Sequence, residues 1–174
     1  QTRPDSGYSI TVLDAHKKVA GEVGHGNRKD IRNAVEAAHK ASAWSSLNGH
    51  SRAQVLYFLA ENLETRSEEF KNRISVLTGD SAEKAKRQVE ASIRRIFSYA
   101  AWADKYEGRV HQPPMRGLAL AIPEPFGVMG VVASDDQPLL GLLSMILPCI
   151  ASGNRVVAVP SLKAALIAAD FYQL

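Results

Sequence analysis

Residues 127–143, GVMGVVASDDQPLLGLL, place two adjacent carboxylates, Asp135 and Asp136, between two apolar runs. The first run, 128–133, is apolar on both faces, the pattern of a buried parallel strand. The second opens at Pro138, a residue suited to the first turn of a helix because its missing amide would have no partner there anyway. That helix is expected to run to about Ser152, with a kink at Pro148 and Gly153 or Asn154 as its stop. Residues 156–159 then read as the next short strand. Strand, helix and strand form a βαβ unit, whose crossover is expected to be right-handed. A strand-to-helix turn is where open α/β sheets take ligands, so the role of the two acids decides how the chain is read.

Upstream of this unit the periodicity is helical. Residues 8–23, YSITVLDAHKKVAGEV, carry two short strand-like runs around residues 14–18 and predict a hairpin. Asn27 can cap a helix whose apolar positions, Ile31, Ala34, Val35, Ala38 and Ala41, give one buried stripe. Ser51 with Gln54 has the spacing of a capping box ahead of Val55, Leu56, Phe58, Leu59 and Leu63. Ser67 can cap a shorter helix that Gly79 stops. A long helix is predicted over about 82–106, with the stripe Ala85, Val89, Ile93, Ile96, Ala100 and Ala103, and Gly108 to end it. Leu118, Leu120 and Ile122 then alternate as in a strand, and Ser161 can cap a final helix. The fold class is therefore α/β: a hairpin and helices leading into a Rossmann-like parallel βαβ unit.

Composition narrows the function. The net charge of +3 is mild, and the densest basic stretch, residues 84–95, is interrupted by Glu90 and lacks the interleaved aromatics of a stacking surface. Nucleic-acid binding is not expected. The longest apolar run, Pro138–Ala151, is shorter than the ~20 residues a membrane span needs, and a cytoplasmic protein is expected. The single cysteine, Cys149, excludes an internal disulfide and reads as a buried structural residue. His16, His25, His39, His50 and His111 have no metal-ligand spacing, so no metal is expected. GEVGHG at 21–26 lacks the strand and helix context of a dinucleotide fingerprint. Trp44 and Trp102 read as packing residues. The chain opens on Gln1 and closes on AALIAADFYQL without a helix stop, which predicts a piece of a longer protein.

The segment 124–161, EPFGVMGVVASDDQPLLGLLSMILPCIASGNRVVAVPS, resembles the NAD(P)-dependent aldehyde dehydrogenases. Their pattern is Glu-Pro-x-Gly-Val, a Pro-Trp-Asn-Phe-Pro turn, a helix ending Ala-Gly-Asn, and Val-Val-x-Lys-Pro-Ser. RKDIRNAVEAAHKASAWSSL, RAQVLYFLAENLETRSEEF and FSYAAWADKYEGRV resemble the earlier helices of the family. The resemblance implies a truncated aldehyde dehydrogenase fold. Residues 1–107 would be the hairpin and helical part of the nucleotide-binding domain, 108–123 an oligomerisation arm, and 124–174 the start of the Rossmann-like core. It also implies NAD or NADP as cofactor, a homo-oligomer, and partnership with the remainder of the same polypeptide.

The resemblance breaks at the site itself. The family Asn that donates to the oxyanion aligns with Asp136, and the family Trp with Asp135. A carboxylate has no donor for an oxyanion, and losing one such donor costs about 3–4 kcal/mol of transition-state stabilisation. The family Lys that contacts the adenosine ribose aligns with Val159, ahead of Pro160 and Ser161. The acid three residues later, another ribose ligand, aligns with Leu162. Ala133, Ser134, Asp135, Val159, Ser161 and Leu162 thus occupy the family's cofactor positions with altered chemistry, while Lys163 is the one nearby residue that could compensate. The family's thiol, Gly-rich segment and general base lie beyond these residues. The pattern is most similar to the degenerate second repeat of the family-16 aldehyde dehydrogenases. That implies a scaffold or oligomerisation role, with part of an active oxidoreductase, taking aldehydes to carboxylic acids, as the alternative. The simplest expectation for Asp135 and Asp136 is that they cap the helix and complement its dipole; a repurposed cation site is the other, although calcium wants six or more oxygens.

Overall fold

The computed structural model describes residues 4–106 and 108–174. The chain opens with an antiparallel hairpin, β1 (Ser9–Leu13) and β2 (Val19–Gly24). The loop between them closes on Asp14, whose Oδ1 accepts from the amides of His16 and Lys18, and Lys17 takes a left-handed conformation there. The Ala15 amide donates to Val76 O, which ties the hairpin to the helices.

Helix α1 (Arg28–Lys40) has the predicted cap. Asn27 accepts from the amides of Lys29 and Asp30, and Asp30 returns a bond from the Asn27 amide, a complete capping box. Asp30 also accepts from the Asp5 amide at 2.8 Å. The Asn27 bond first, and then the Asp5 bond, hold the Asp30 carboxyl below its ordinary pKa; a smaller pull comes from the Lys29 charge, against a desolvation that raises it. Because the folded value lies below the unfolded one, about 3.9, this contribution is complete above that pH and is lost as pH falls through the folded value. Asp30→Asn is therefore expected to destabilise the chain at pH 7 and to make little difference near pH 2. Urea melts of the two proteins at both pH values check this.

The α1 stripe is not buried as expected. Ile31 is 47% exposed and no residue of the helix is fully buried. The helix rests mainly on β5 and β6, two strands that offer it a narrow surface.

After the short α2 (Ala43–Ser46), α3 (Gly49–Thr65) starts earlier than expected. Asn48, not Ser51, is the N-cap, and its side chain accepts from the Ser51 amide at 2.7 Å. Gly49 and His50 add half a turn because Gly49 fits under α5: a Cβ there would run into the carbonyl oxygen of Ala103. Helix α4 (Ser67–Thr78) has no side-chain cap, and Ser67 is its first helical residue. Arg66 ends α3 and begins α4, so one residue serves both ends and leaves no room for a serine cap. Gly79 stops α4 in the left-handed conformation, as expected.

Helix α5 (Ala82–Lys105) is the centre of the core. Every residue of its predicted stripe is buried, against α3 on one side and α6 on the other. Gln88 and Ser92 lie within the same stripe and are also buried. Ser92 Oγ donates to Gln88 O. Strands β3 (Arg109–His111) and β4 (Ala119–Ala121) form a small antiparallel pair with every residue exposed. β4 is shorter than its alternating pattern suggests.

Strands β5 (Val128–Val132) and β6 (Arg155–Val159) pair in parallel around α6 (Pro138–Ala151), the expected βαβ unit. The strand is less buried than its apolar sequence predicts. Val132 is 73% exposed, because a two-stranded sheet covers only part of each strand. Helix α6 continues through Pro148. The last helix, α7 (Ala165–Phe171), begins later than a Ser161 cap would place it. Ser161 Oγ accepts instead from the Ala164 amide, one turn ahead of the helix.

Candidate functional site

The carboxyl ends of β5 and β6 bring the expected site residues together. Val132 pairs with Val159 at the end of the sheet, and the Ala133 amide donates to Val159 O at 3.0 Å. Ser134, Asp135 and Asp136 leave β5 on one side of this mouth; Ser161 and Leu162 leave β6 on the other. Ala133 is buried, whereas Ser134, Asp135, Asp136, Val159 and Leu162 are exposed. Lys163 lines a groove of about 500 Å³ with Leu162, Asp14 and β1 residues.

The two acids do not cap α6. The N-cap position belongs to Gln137, which is left-handed at φ 47 and ψ 67, and it makes no side-chain cap bond. The Asp136 amide points back to Ser134 Oγ at 3.3 Å. The first free amide of the helix, Leu139, donates instead to Oε1 of buried Gln88 on α5, at 3.0 Å. Packing outcompeted the local cap: Pro138 and Leu139 are buried against the core, and the acids remain in solvent.

The other end of α6 is closed just as completely, by side chains from the α2–α3 region. Trp44 Nε1–H donates to Ile150 O at 3.1 Å, Ser45 Oγ to Gly153 O at 2.8 Å, and Arg52 Nε to Ala151 O at 3.0 Å. Arg52 also donates to Leu47 O. Asn154 is buried; its Oδ1 accepts from the Gly127 amide at 3.0 Å and its Nδ2 donates to Ser152 Oγ. Gly153 sits at φ +86, where the turn needs glycine. Helix ends leave carbonyls without intrahelical partners, and here the last turn is satisfied from elsewhere in the chain. Trp44 is thus a hydrogen-bond donor as well as a packing residue. Trp102 is 40% exposed and stacks on Tyr106 with ring centroids 4.3 Å apart.

Sequence reasoning missed Gln88, Arg52 and Ser45 as residues that shape the unit, and it read Asn154 only as a helix stop. For Gln88 a signal existed: a polar residue three positions after Ala85 falls on the buried stripe. Cys149 is half-buried rather than buried, and its thiol donates weakly to Met145 O. It lies one helical turn beyond Met145 and away from the mouth at 133–136. Among the described residues no group of three His, Cys, Asp or Glu side chains could hold a metal. No helix of the described residues is long and apolar enough to cross a membrane.

A parallel βαβ unit with its loops at the carboxyl ends of the strands is the arrangement at which open α/β sheets take ligands. The sequence model of the aldehyde dehydrogenase family matches residues 3–174, and the chain belongs to that family. An aldehyde dehydrogenase of Agaricus bisporus is 34% identical over 163 residues, covering 89% of this chain and 33% of the relative. A cytosolic 10-formyltetrahydrofolate dehydrogenase of Xenopus tropicalis is 35% identical over 153 residues, covering 83% of this chain and 17% of the relative. Among solved structures, a betaine aldehyde dehydrogenase of Staphylococcus aureus in complex with NAD+ superimposes with a TM-score of 0.94 at 21% identity. That match covers 99% of this chain and 35% of the solved one, and it shows the aldehyde dehydrogenase fold. The chain therefore spans a third or less of the curated relatives it matches.

Proposed function

We propose that the chain is part of a catalytically degenerate aldehyde dehydrogenase repeat with a scaffold or oligomerisation role. The observation that carries this reading is Asp136 at the turn position where the family resemblance puts an oxyanion donor. Its carboxylate is exposed and its amide is committed to Ser134 Oγ, so neither its side chain nor its amide is free to donate. Val159 and Leu162 at the ribose positions support the same reading, since both are exposed apolar side chains with nothing to offer a hydroxyl. The combination is similar to the degenerate second repeat of the family-16 enzymes.

On this reading residues 1–107 and 124–174 belong to the nucleotide-binding domain and 108–123 form an arm. Val110, Leu118, Leu120 and Ile122 are exposed on or beside the arm's two strands, which suits pairing with another copy or with the rest of the polypeptide. NAD or NADP is the cofactor class that the family resemblance implies for the site, and Ser134, Asp135 and Ser161 retain polar groups there; Val159 and Leu162 are the positions that weaken it. A cytoplasmic location is in keeping with the cytosolic relative.

The alternative, part of an active oxidoreductase that takes aldehydes to carboxylic acids, is tested by NADH formation in the whole protein that carries this chain. The scaffold reading expects no aldehyde-dependent NADH that depends on this repeat. Turnover of any aldehyde that is abolished by Asp136→Ala would establish the alternative. The 174-residue chain alone is expected to give none, because it holds no thiol at a mouth residue.

A further inference from the structure

The left-handed Gln137 is held where it is by something other than its own chemistry. A non-glycine residue in that conformation suffers crowding of its Cβ, and a residue before proline has its backbone restricted further. Such a conformation persists where the surroundings over-determine it. The acids beside it contribute no cap bond. Pro138 has no amide, and the Gly141 amide closes on Gln137 O at 2.6 Å. The Leu139 amide, by contrast, goes across 51 residues to Gln88, which is 5% exposed in the second turn of α5.

We propose that Gln88 is a positioning residue for the nucleotide turn: by accepting from Leu139 it fixes the entry of α6 and keeps residues 134–137 in the shape of a ligand loop. The turn's backbone is then specified from α5, independently of the side chains at 135 and 136. This explains how the loop keeps a strained backbone when its own polar residues make no cap. It goes beyond the scaffold reading and holds whether or not a nucleotide binds.

The test is amide exchange of residues 134–141, followed by mass spectrometry in the full chain, for wild type, Gln88→Leu and Gln88→Glu. Leucine keeps the volume and removes the acceptor. Glutamate keeps an acceptor oxygen at a helix N-terminus that favours its charge. We expect Gln88→Leu to speed exchange of this segment by at least roughly tenfold, the effect of losing one buried hydrogen bond, with residues 53–63 unchanged. Gln88→Glu should stay close to wild type. In addition, Gln137→Gly should raise Tm by about 2–4 °C in wild type by relieving the left-handed strain. In Gln88→Leu, where the turn has relaxed, the gain should fall to less than half. Wild-type exchange in Gln88→Leu, or an equal gain from Gln137→Gly in both backgrounds, overturns the proposal. If Gln88→Leu does not fold, the glutamate variant decides: protected exchange supports the acceptor role, and exchange as fast as in an unfolded chain refutes it.

Discussion

Phe70→Ala is expected to destabilise the chain by about 3–5 kcal/mol, the range for removing a fully buried aromatic. Phe70 is 1% exposed and joins Ile74 and Leu77 of α4 to the cluster built on α3 and α5. Arg66 lies over its ring at 5.8 Å, so the truncation also removes a cation–π contact. Close-packed interiors relax only in part around a void. For a chain of this size the change corresponds to a fall in Tm of roughly 6–20 °C. Thermal melts followed by circular dichroism measure it directly; a fall below about 3 °C would mean that α4 is not docked as described.

Arg52→Ala is expected to cost about 2–4 kcal/mol. The guanidinium donates to Ala151 O from Nε and to Leu47 O from its terminal nitrogen. Partial burial pulls its pKa below the usual arginine value, a sign that the group gives up some hydration to reach these carbonyls. Hydrogen bonds from a charged donor contribute about 1.5–3 kcal/mol, and an acceptor left buried without a partner costs about 1–3. Ala151 is fully buried, so water cannot readily replace the arginine there. The effect should be local as well as global: the C-terminal turn of α6 and the Asn154 bond to Gly127 should lose exchange protection before the α5 core does. Arg52→Lys is expected to recover only part of the loss, since an ammonium cannot reproduce the planar fork. Chemical denaturation of the three proteins checks the order wild type, lysine, alanine.

These two residues also show what a sequence discloses. The stripe of α5 could be read directly, because apolar residues at three- and four-residue intervals have one physical solution, a helix with one buried face. The βαβ unit was legible for a similar reason: two apolar runs, a proline at a helix start and a glycine at its stop all agree. The capping of α6 was not legible. Gln88, Trp44, Ser45 and Arg52 lie 51 to 108 residues from the groups they satisfy, and no local pattern encodes a bond across that distance. Where two local solutions competed, the sequence misled. Ser51 had the spacing of a cap for α3, but the close approach of Gly49 to α5 moved the start back to Asn48. Asp135 and Asp136 satisfied a helix-cap rule that tertiary packing then overrode. The α1 stripe was correctly periodic, yet periodicity states only which face is apolar and not how much of it the neighbouring strands cover.

The site residues divide along the same line. That 133–136 and 159–162 meet at one mouth follows from the strand order and could be expected from the motif. That the turn is held by α5, with its acids free in solvent, is a property of the tertiary fold alone.

On the proposed reading this mouth has kept its shape and lost its nucleotide chemistry. NAD(P) titration by calorimetry into the whole protein that carries the chain tests it most directly, with Asp136→Asn, Val159→Lys and Val159→Glu variants alongside. No binding heat assignable to this site is expected in wild type, and binding should be gained when Asp136→Asn and Val159→Lys are combined. Micromolar binding by wild type that Val159→Glu abolishes would contradict it and establish a working cofactor site.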